Sequence, residues 1–234
     1  AYRDPRGGTV PLGIIDLTIA GKVRLQLSGY SFARRIRIEK VERTSVHMTL
    51  PPGAIYINNF LSPGEEADIT RLLDEGRWNS ELKRRVQHFG YRYDYKARAV
   101  TQDSYLGPLP EWLERLGTRL VAFGLFEAAP DQIIANEYLP GQGISAHIDC
   151  EPCFDDTIVS LSLLSRCEMI FRHRESGRRS SIILEPRSAL VLKEDARYLW
   201  THEIPARKSD PMNGISVRRF RRISLTFRKV IRAS

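Results

Sequence analysis

The stretch IIANEYLPGQGISAHID, residues 133–149, holds two short runs of strand-forming residues on either side of a tight turn. The intervening LPGQG predicts the turn, because proline and glycine interrupt regular structure. The flanking runs, residues 133–138 and 144–149, predict two short strands. The polar side chains on these two strands are therefore the first candidates for a functional site.

The second strand ends in a His-x-Asp pair, His147 and Asp149. Side chains two apart in a strand point to the same side, so one imidazole and one carboxylate can face one point. His202, in a later predicted strand, is the best candidate for a third ligand. Two histidines and a carboxylate on one face of a metal form the ligand set of non-haem Fe(II) oxygenases. Taken singly, these residues also have a simpler explanation. His147 and Asp149 could be a hydrogen-bonded polar pair at a strand end, and His202 could be an ordinary histidine at the edge of the sheet.

Two further pairs of polar residues share a strand. Asn136 and Tyr138 lie on the first strand, and Arg222 and Arg228 lie on the last predicted strand. An even separation places both members of each pair on one face. Because arginine forks match carboxylates in bidentate fashion, the two arginines predict a site for a dicarboxylate. The alternative is a pair of solvated cations on an edge strand, where charge discourages aggregation.

Helices are predicted before residue 133 and strands after it. Ser62, Pro63 and Glu65 have the order of a helix start with a capping box, and residues 110–125 carry leucines at helical spacing. Short strands then recur at residues 157–163, 168–171, 181–184, 188–192, 198–202 and 222–228. This order predicts a mainly β fold with flanking helices (α+β), of sandwich, jelly-roll or barrel type.

The composition is that of an ordinary globular protein, with 42% hydrophobic and 27% charged residues in a chain of 234. No apolar run approaches the ~18 residues of a membrane helix, so no membrane partner is expected. The net charge is +8 and the pI about 9.6. This charge favours a polyanionic partner, although a solvated basic surface explains it as well. Residues 1–50 form a basic N-terminal extension, and the expected catalytic body spans residues 51–234.

The three cysteines, Cys150, Cys153 and Cys167, give an odd and low count. Such a count predicts no disulfide framework and a reducing compartment, the cytoplasm or, in a eukaryote, the nucleus. Cys150 and Cys153 have the spacing of a zinc or redox pair, but the sequence offers no second pair to complete a zinc site. We therefore expect two ordinary cysteines beside the predicted metal site.

Residues 84–98, RRVQHFGYRYDYKAR, interleave aromatic and basic side chains. Bases stack on aromatic faces and phosphates pair with cations, so this mixture suits a nucleotide-binding surface. For the stretch alone, the favoured alternative is a strand that packs one face against a core, since tyrosines are common in strands. That face would carry Phe89, Tyr91, Tyr93 and Tyr95.

Taken together, these motifs resemble the AlkB family of Fe(II)/2-oxoglutarate-dependent dioxygenases over residues 54–231. The motifs that carry the resemblance are Asn136-x-Tyr138, His147-x-Asp149, His202 and the RISLTFR sequence of residues 222–228. The sequence most resembles the branch that contains the eighth mammalian AlkB homologue, a tRNA wobble-uridine hydroxylase, and its stand-alone bacterial relatives. The resemblance implies a double-stranded β-helix (jelly-roll) core.

The resemblance also implies a role for each site residue. Fe(II) would be bound by His147, Asp149 and His202, which are the catalytic residues. The cosubstrate 2-oxoglutarate would be held by Asn136, Tyr138, Arg222, Ser224, Thr226 and Arg228. The substrate would contact Phe89, Tyr91, Arg92, Tyr93 and Glu151.

Enzymes of this family use O2 to hydroxylate a C–H bond. On an N-alkylated base of DNA or RNA, hydroxylation leads to release of formaldehyde, which repairs alkylation damage. On a tRNA wobble uridine, the alcohol persists as a modification. About 50 residues precede the matched body, too few for the RNA-recognition domain of the tRNA branch. The expectation is therefore a monomeric repair enzyme acting on single-stranded DNA or RNA, with tRNA hydroxylation as the alternative, and in either case the base must leave its stack.

Overall fold

The computed structural model describes residues 50–80, 83–94, 97, 99–100 and 102–231. The basic N-terminal extension lies outside the described residues, as do Tyr95, Lys96 and Arg98 of the aromatic and basic stretch. The domain boundary near residue 50 therefore stays a prediction.

Strands dominate the described part of the chain. In chain order they are β1 (Ala54–Ile57), β2 (Arg85–Phe89), β3 (Gln132–Tyr138), β4 (Ile144–His147), β5 (Phe154–Leu163), β6 (Cys167–His173), β7 (Arg179–Leu184), β8 (Ala189–Leu192), β9 (Trp200–Ile204), β10 (Ser209–Met212), β11 (Ile215–Arg218) and β12 (Arg222–Val230). The α-helices are α1 (Pro63–Glu75), α2 (Glu111–Ala122) and α3 (Glu194–Tyr198), and residues Gln102–Ser104 form a 3-10 turn.

The strands form two main antiparallel sheets and one hairpin. The larger sheet has the order β1-β8-β5-β12-β3-β2, the smaller has the order β4-β9-β6-β7, and β10 pairs with β11. Strand β12 lies inside the larger sheet, paired with β3 on one side and β5 on the other. The predicted class, mainly β with flanking helices, is confirmed. No helix in the described residues is both long and apolar enough to span a membrane.

The start of α1 has the predicted capping box. The Ser62 hydroxyl accepts a hydrogen bond from the Glu65 amide at 3.2 Å, and the Glu65 carboxylate accepts one from the Ser62 amide at 2.8 Å. Two of the amides that a helix start leaves without intrahelical partners are satisfied in this way. The helix therefore begins where the sequence predicts.

Side-chain alternation along β12 divides the interior into two apolar cores. Ile223, Leu225 and Phe227 are fully buried against residues of α1 and α2 in the first core. The polar residues of β12 alternate with these three and point to the opposite face of the sheet. On that face a second core, which includes Tyr138, Phe171 and Trp200, joins the larger sheet to the smaller one. The sequence of β12 thus places its polar side chains between the two sheets.

Helix α3 and the β10–β11 hairpin were not predicted from the sequence. The strand predicted at residues 198–202 begins at Trp200, because α3 extends to Tyr198. A five-residue helix is too short to show a helical period. The hairpin turns at Asn213-Gly214, a strong turn signal, but its strands lack a regular alternation of apolar side chains.

Glu137 is a buried charge on the helix-facing side of β3, with 2% of its surface exposed. Arg85 donates to both of its carboxylate oxygens, at 2.6 and 2.7 Å, and Arg221 donates to one at 2.7 Å. Arg221 also donates to Asp74 near the end of α1, at 2.8 Å. Hydrogen bonds from Arg85 and Arg221 lower the pKa of Glu137 against the opposing effect of burial. These pairs tie β2, β3 and the residue that precedes β12 to α1.

Replacing the buried carboxylate should weaken the fold in a pH-dependent way. The variant Glu137→Gln should lower the free energy of unfolding at pH 7 by about 1–3 kcal/mol, because a neutral amide cannot satisfy two guanidinium groups. A carboxylate with a lowered pKa stabilises the fold fully above its ordinary value of 4.5, and this contribution is lost as pH falls through the folded value. The difference between the two proteins should therefore shrink in acid.

Urea unfolding at pH 7 and at about pH 3 measures this difference. Glu175→Gln, a change at an exposed position in the β6–β7 turn, is the control and should have no effect at either pH. A deficit of Glu137→Gln that is equally large at both values would contradict the argument.

Candidate active site

A cavity of about 920 Å³ lies on the polar face of β12. The predicted site residues that line it are Tyr93, Asn136, Tyr138, His147, Asp149, Glu151, His202, Ser224, Thr226 and Arg228. The predicted site residues that do not line it are Phe89, Tyr91, Arg92 and Arg222. The fold thus brings together most of the residues that the sequence singled out, although these are more than a hundred positions apart in the chain.

His147, Asp149 and His202 meet within this cavity. One ligand atom from each lies within 4.8 Å of those of the other two, which is the spacing that a single metal ion requires. His202 Nε2 is 3.6 Å from one carboxylate oxygen of Asp149. The imidazole rings of His147 and His202 have their centroids 4.4 Å apart.

Strand pairing holds the two histidines. His147, at the end of β4, lies directly opposite His202 of β9 in the antiparallel ladder. The Nδ1 atom of His147 is 2.8 Å from the carbonyl oxygen of Ser145. This hydrogen bond fixes the ring and leaves Nε2 as the available ligand atom, a common arrangement in metal sites.

Burial and nearby charges give Asp149 and His202 the protonation states that bind a metal. Burial on its own would raise the pKa of Asp149, but Arg228, which forms an ion pair with it, and the two imidazoles lower it, so the carboxylate is ionised. Burial lowers the pKa of His202 to about 3, and His147 adds to the effect, so this imidazole is neutral. Metal ligation requires an ionised carboxylate and neutral imidazoles. The three residues therefore fit a divalent iron.

Arg222 offers a buried cation with unused hydrogen-bond donors. It is 2% exposed, and its guanidinium lies 5.4 Å from the centroid of the Tyr138 ring. Its Nη2 donates to Ser162 Oγ at 2.8 Å, whereas Nε and Nη1 have no hydrogen-bond partner among the described residues. Burying such groups without partners is costly, and a carboxylate is a strong acceptor for guanidinium donors. Arg222 therefore fits the far carboxylate of 2-oxoglutarate and is not a solvated cation on an edge strand.

The polar residues beside Arg222 form hydrogen-bonded pairs that line the cavity. In the β3–β12 ladder, Asn136 is opposite Ser224 and Tyr138 is opposite Arg222. The Asn136 amide oxygen accepts from Arg84 Nε at 2.9 Å, and Ser224 Oγ lies 2.8 Å from Ser160 Oγ. Arg84 and Ser160 also line the cavity but were not among the predicted site residues. The signal for Arg84 was its place at the start of the aromatic and basic stretch.

The aromatic and basic stretch does not act as one surface. Gly90 has a left-handed φ of +74°, and a Cβ atom there would lie 1.9 Å from the carbonyl oxygen of Asp131. Phe89, before this turn, packs edge-on against Trp112 of α2 on the helix side. Tyr93, after it, lines the cavity with its ring 5.9 Å from that of Phe154. Over the residues of this stretch that the structure describes, neither the single strand face nor the continuous nucleotide-binding surface considered above is therefore observed.

Of the remaining residues predicted to contact substrate, Tyr91 and Arg92 do not line the cavity and Glu151 does. The Tyr91 ring packs at a tilt of 49° against the Tyr105 ring, with centroids 5.0 Å apart, and Arg92 is exposed. Glu151 lines the cavity and pairs with Arg174 at 3.4 Å. Of the five residues predicted to contact substrate, Tyr93 and Glu151 are thus the two that line the cavity.

The expectation of unpaired cysteines is wrong for two of the three. Cys150 and Cys153 form a disulfide with their Cα atoms 5.3 Å apart, and Cys167 is free and buried. The turn that follows Asp149 brings the two together, since the Cys153 amide donates to the Cys150 carbonyl at 3.3 Å. An odd count argues against a framework of several bridges but does not exclude one local bridge.

Comparison with known proteins agrees with this site. Residues 53–228 match the 2OG-Fe(II) oxygenase superfamily. The tRNA (carboxymethyluridine(34)-5-O)-methyltransferase alkbh8 of Xenopus tropicalis is 35% identical, over 86% of this chain and 34% of that protein. The alkylated DNA repair protein ALKBH8 homolog of Arabidopsis thaliana is 37% identical, over 76% of this chain and 58% of that protein. This chain therefore spans between a third and three fifths of the length of these relatives.

The fold also has solved counterparts. The structure of OsALKBH1 superposes with a TM-score of 0.59 at 19% identity, covering 77% of this chain and 98% of that one. A likeness at this identity shows the fold and confirms the predicted jelly-roll type. The superfamily match extends over most of the chain, including the metal-ligand and arginine motifs. The chain belongs to the AlkB-like family of 2OG-Fe(II) oxygenases, which are dioxygenases that use Fe(II), 2-oxoglutarate and O2.

Proposed function

We propose that this dioxygenase hydroxylates the carbon side chain of a uridine in tRNA. The observation that carries the proposal is the presence of cations in the cavity wall beyond the iron site, because Arg84 and Arg174 both line the cavity. The Xenopus relative is named for carboxymethyluridine, a base whose substituent bears a carboxylate. Guanidinium groups bind carboxylates well, so a wall of this kind suits such a substituent.

Oxidative demethylation of N-alkylated bases in DNA or RNA is the second candidate. It was the first expectation from the sequence, and the Arabidopsis relative is named an alkylated DNA repair protein. Both reactions begin with hydroxylation of a carbon atom attached to a base. They differ in the product, since a hydroxylated N-methyl group is lost as formaldehyde and a hydroxylated carbon side chain is kept. The net charge of +8 agrees with a nucleic-acid partner in either case.

The residues that line the cavity, together with the buried Arg222, would have separate roles in this reaction. His147, Asp149 and His202 would hold iron from one side and leave the opposite positions open. Arg222 and Arg228 would orient the two carboxylates of 2-oxoglutarate, and Asn136 and Tyr138 would line the space between. When bound, iron, 2-oxoglutarate and O2 supply the oxidation that turns C–H into C–OH.

The cavity also has the features that a flipped base needs. Tyr93 presents an aromatic ring on which a base can stack. The salt bridge between Glu151 and Arg174, both of them partly exposed, places one acceptor and one donor group at the same wall. A monomeric state and a cytoplasmic location stay predictions.

The product of the reaction separates the two candidate substrates. The protein is reconstituted with Fe(II) and 2-oxoglutarate and offered, side by side, tRNA with a carboxymethylated wobble uridine and a single strand with N1-methyladenine. We expect the tRNA to gain the mass of one oxygen atom and the methylated strand to stay unchanged, as read by mass spectrometry. Loss of a methyl group from the second substrate, with the first untouched, would make the enzyme a demethylase.

Removing the buried donors of Arg222 should weaken cosubstrate binding. We expect Arg222→Met to lose about 2–5 kcal/mol of 2-oxoglutarate binding free energy, because the far carboxylate loses its counter-charge. Calorimetric titration of 2-oxoglutarate into the protein loaded with Mn(II), which does not support turnover, measures the loss. Arg218→Met, at an exposed position in β11, is the control and should bind normally. Unaltered affinity of Arg222→Met would assign those donors to a different group.

A further inference from the structure

We propose that Arg197 is a positioning residue that fixes the loop carrying Asp149 and so sets the affinity of the site for its metal. This inference rests on the metal site of the proposed function. It concerns a residue of α3 that does not line the cavity. The role is inferred from the hydrogen bonds that Arg197 donates to the loop.

The guanidinium of Arg197 binds the backbone on both sides of the loop. Its Nη1 donates to the carbonyl oxygen of Asp149 at 2.8 Å. Its Nη2 donates to the carbonyl oxygens of Cys150 and Phe154, at 3.2 and 3.4 Å. One rigid side chain therefore ties the metal-binding residue to the start of β5.

Asp149 needs such support more than the histidines do. His147 and His202 are neighbours in a strand ladder, whereas β4 ends at His147 and leaves Asp149 beyond the last paired residue. The Cys150–Cys153 disulfide closes the following turn but does not include Asp149. Arg197 is thus the side chain that contacts the main chain of Asp149 itself.

The burial of Arg197 also indicates a specific role. It is 2% exposed, and its Nε has no hydrogen-bond partner among the described residues. Burying a guanidinium with an unused donor is unfavourable unless other contacts offset it. The carbonyl groups and the nearby Asp149 carboxylate supply those contacts. A lysine has a single point of donation and cannot bridge both sides of the loop in the same way.

The test compares two matched substitutions with Co(II) as the probe. We expect Arg197→Lys to weaken Co(II) binding about 10- to 100-fold, the usual effect of losing a residue that orients a metal ligand. Arg219→Lys is the control, because Arg219 is also buried but donates to Asp210 and to the Pro205 carbonyl. It should lose stability in thermal unfolding and keep its Co(II) affinity within twofold. The visible absorption of bound Co(II) should change in Arg197→Lys alone.

The outcomes separate this inference from the proposed site. If the wild-type protein and His147→Ala bind Co(II) equally weakly, the metal site itself is wrong. If the wild type binds Co(II) and Arg197→Lys matches it, or both lysine variants lose affinity alike, Arg197 has no positioning role.

A second variant tests the inference even where Arg197→Lys fails to fold. In Cys150→Ser/Cys153→Ser the disulfide is absent and Arg197 remains. We expect its Co(II) affinity to fall less than threefold, because Arg197 holds Asp149 without the bridge. A tenfold loss would give the role to the disulfide and overturn the proposal.

Discussion

The alternation of side chains along β12 is the constraint on which both the fold and the site depend. Ile223, Leu225 and Phe227 bind the helices to the larger sheet, and their burial fixes the register of the strand. A shift of the β12 register by one residue would move Arg222 and Arg228 to the helix side, so such a shift is strongly disfavoured. The apolar core on one face therefore determines where the cavity on the other face receives its cations. Stability and chemistry are carried by alternate residues of the same strand.

Arginine is the other recurring element, and several arginines of the described residues are internal. Arg197, Arg219 and Arg222 are buried, and Arg228 is paired with the carboxylate of Asp149. The net charge of +8 is thus no simple measure of surface charge. Arginine suits these places because it stays charged and offers several donors in a fixed plane. Arg84 and Arg174, by contrast, line the cavity, where they contact Asn136 and Glu151.

Much of the site could be predicted because it follows from strand geometry and motif spacing. The arginines at either end of the RISLTFR sequence lie on the face that a period of two requires. The strand predicted over residues 144–149 ends at His147, so Asp149 reaches the same cavity from the loop that follows β4. The capping box of α1 is equally local. What the sequence did not reveal depends on contacts between distant segments. The reversal at Gly90, which separates Phe89 from Tyr93, is imposed by the backbone of Asp131, and Arg197 reaches its carbonyl partners only once α3 has packed.

The unsatisfied donors of Arg222 also affect the folded protein as a whole. A buried guanidinium with two nitrogen atoms that lack hydrogen-bond partners among the described residues makes the protein without cosubstrate less stable than its packing alone would make it. A ligand that binds the folded state and satisfies these groups stabilises that state by mass action. If 2-oxoglutarate is that ligand, as proposed, it would protect the chain from proteases, which act on the opened state. An arginine that held the cosubstrate would thereby also couple the amount of enzyme to the supply of that cosubstrate.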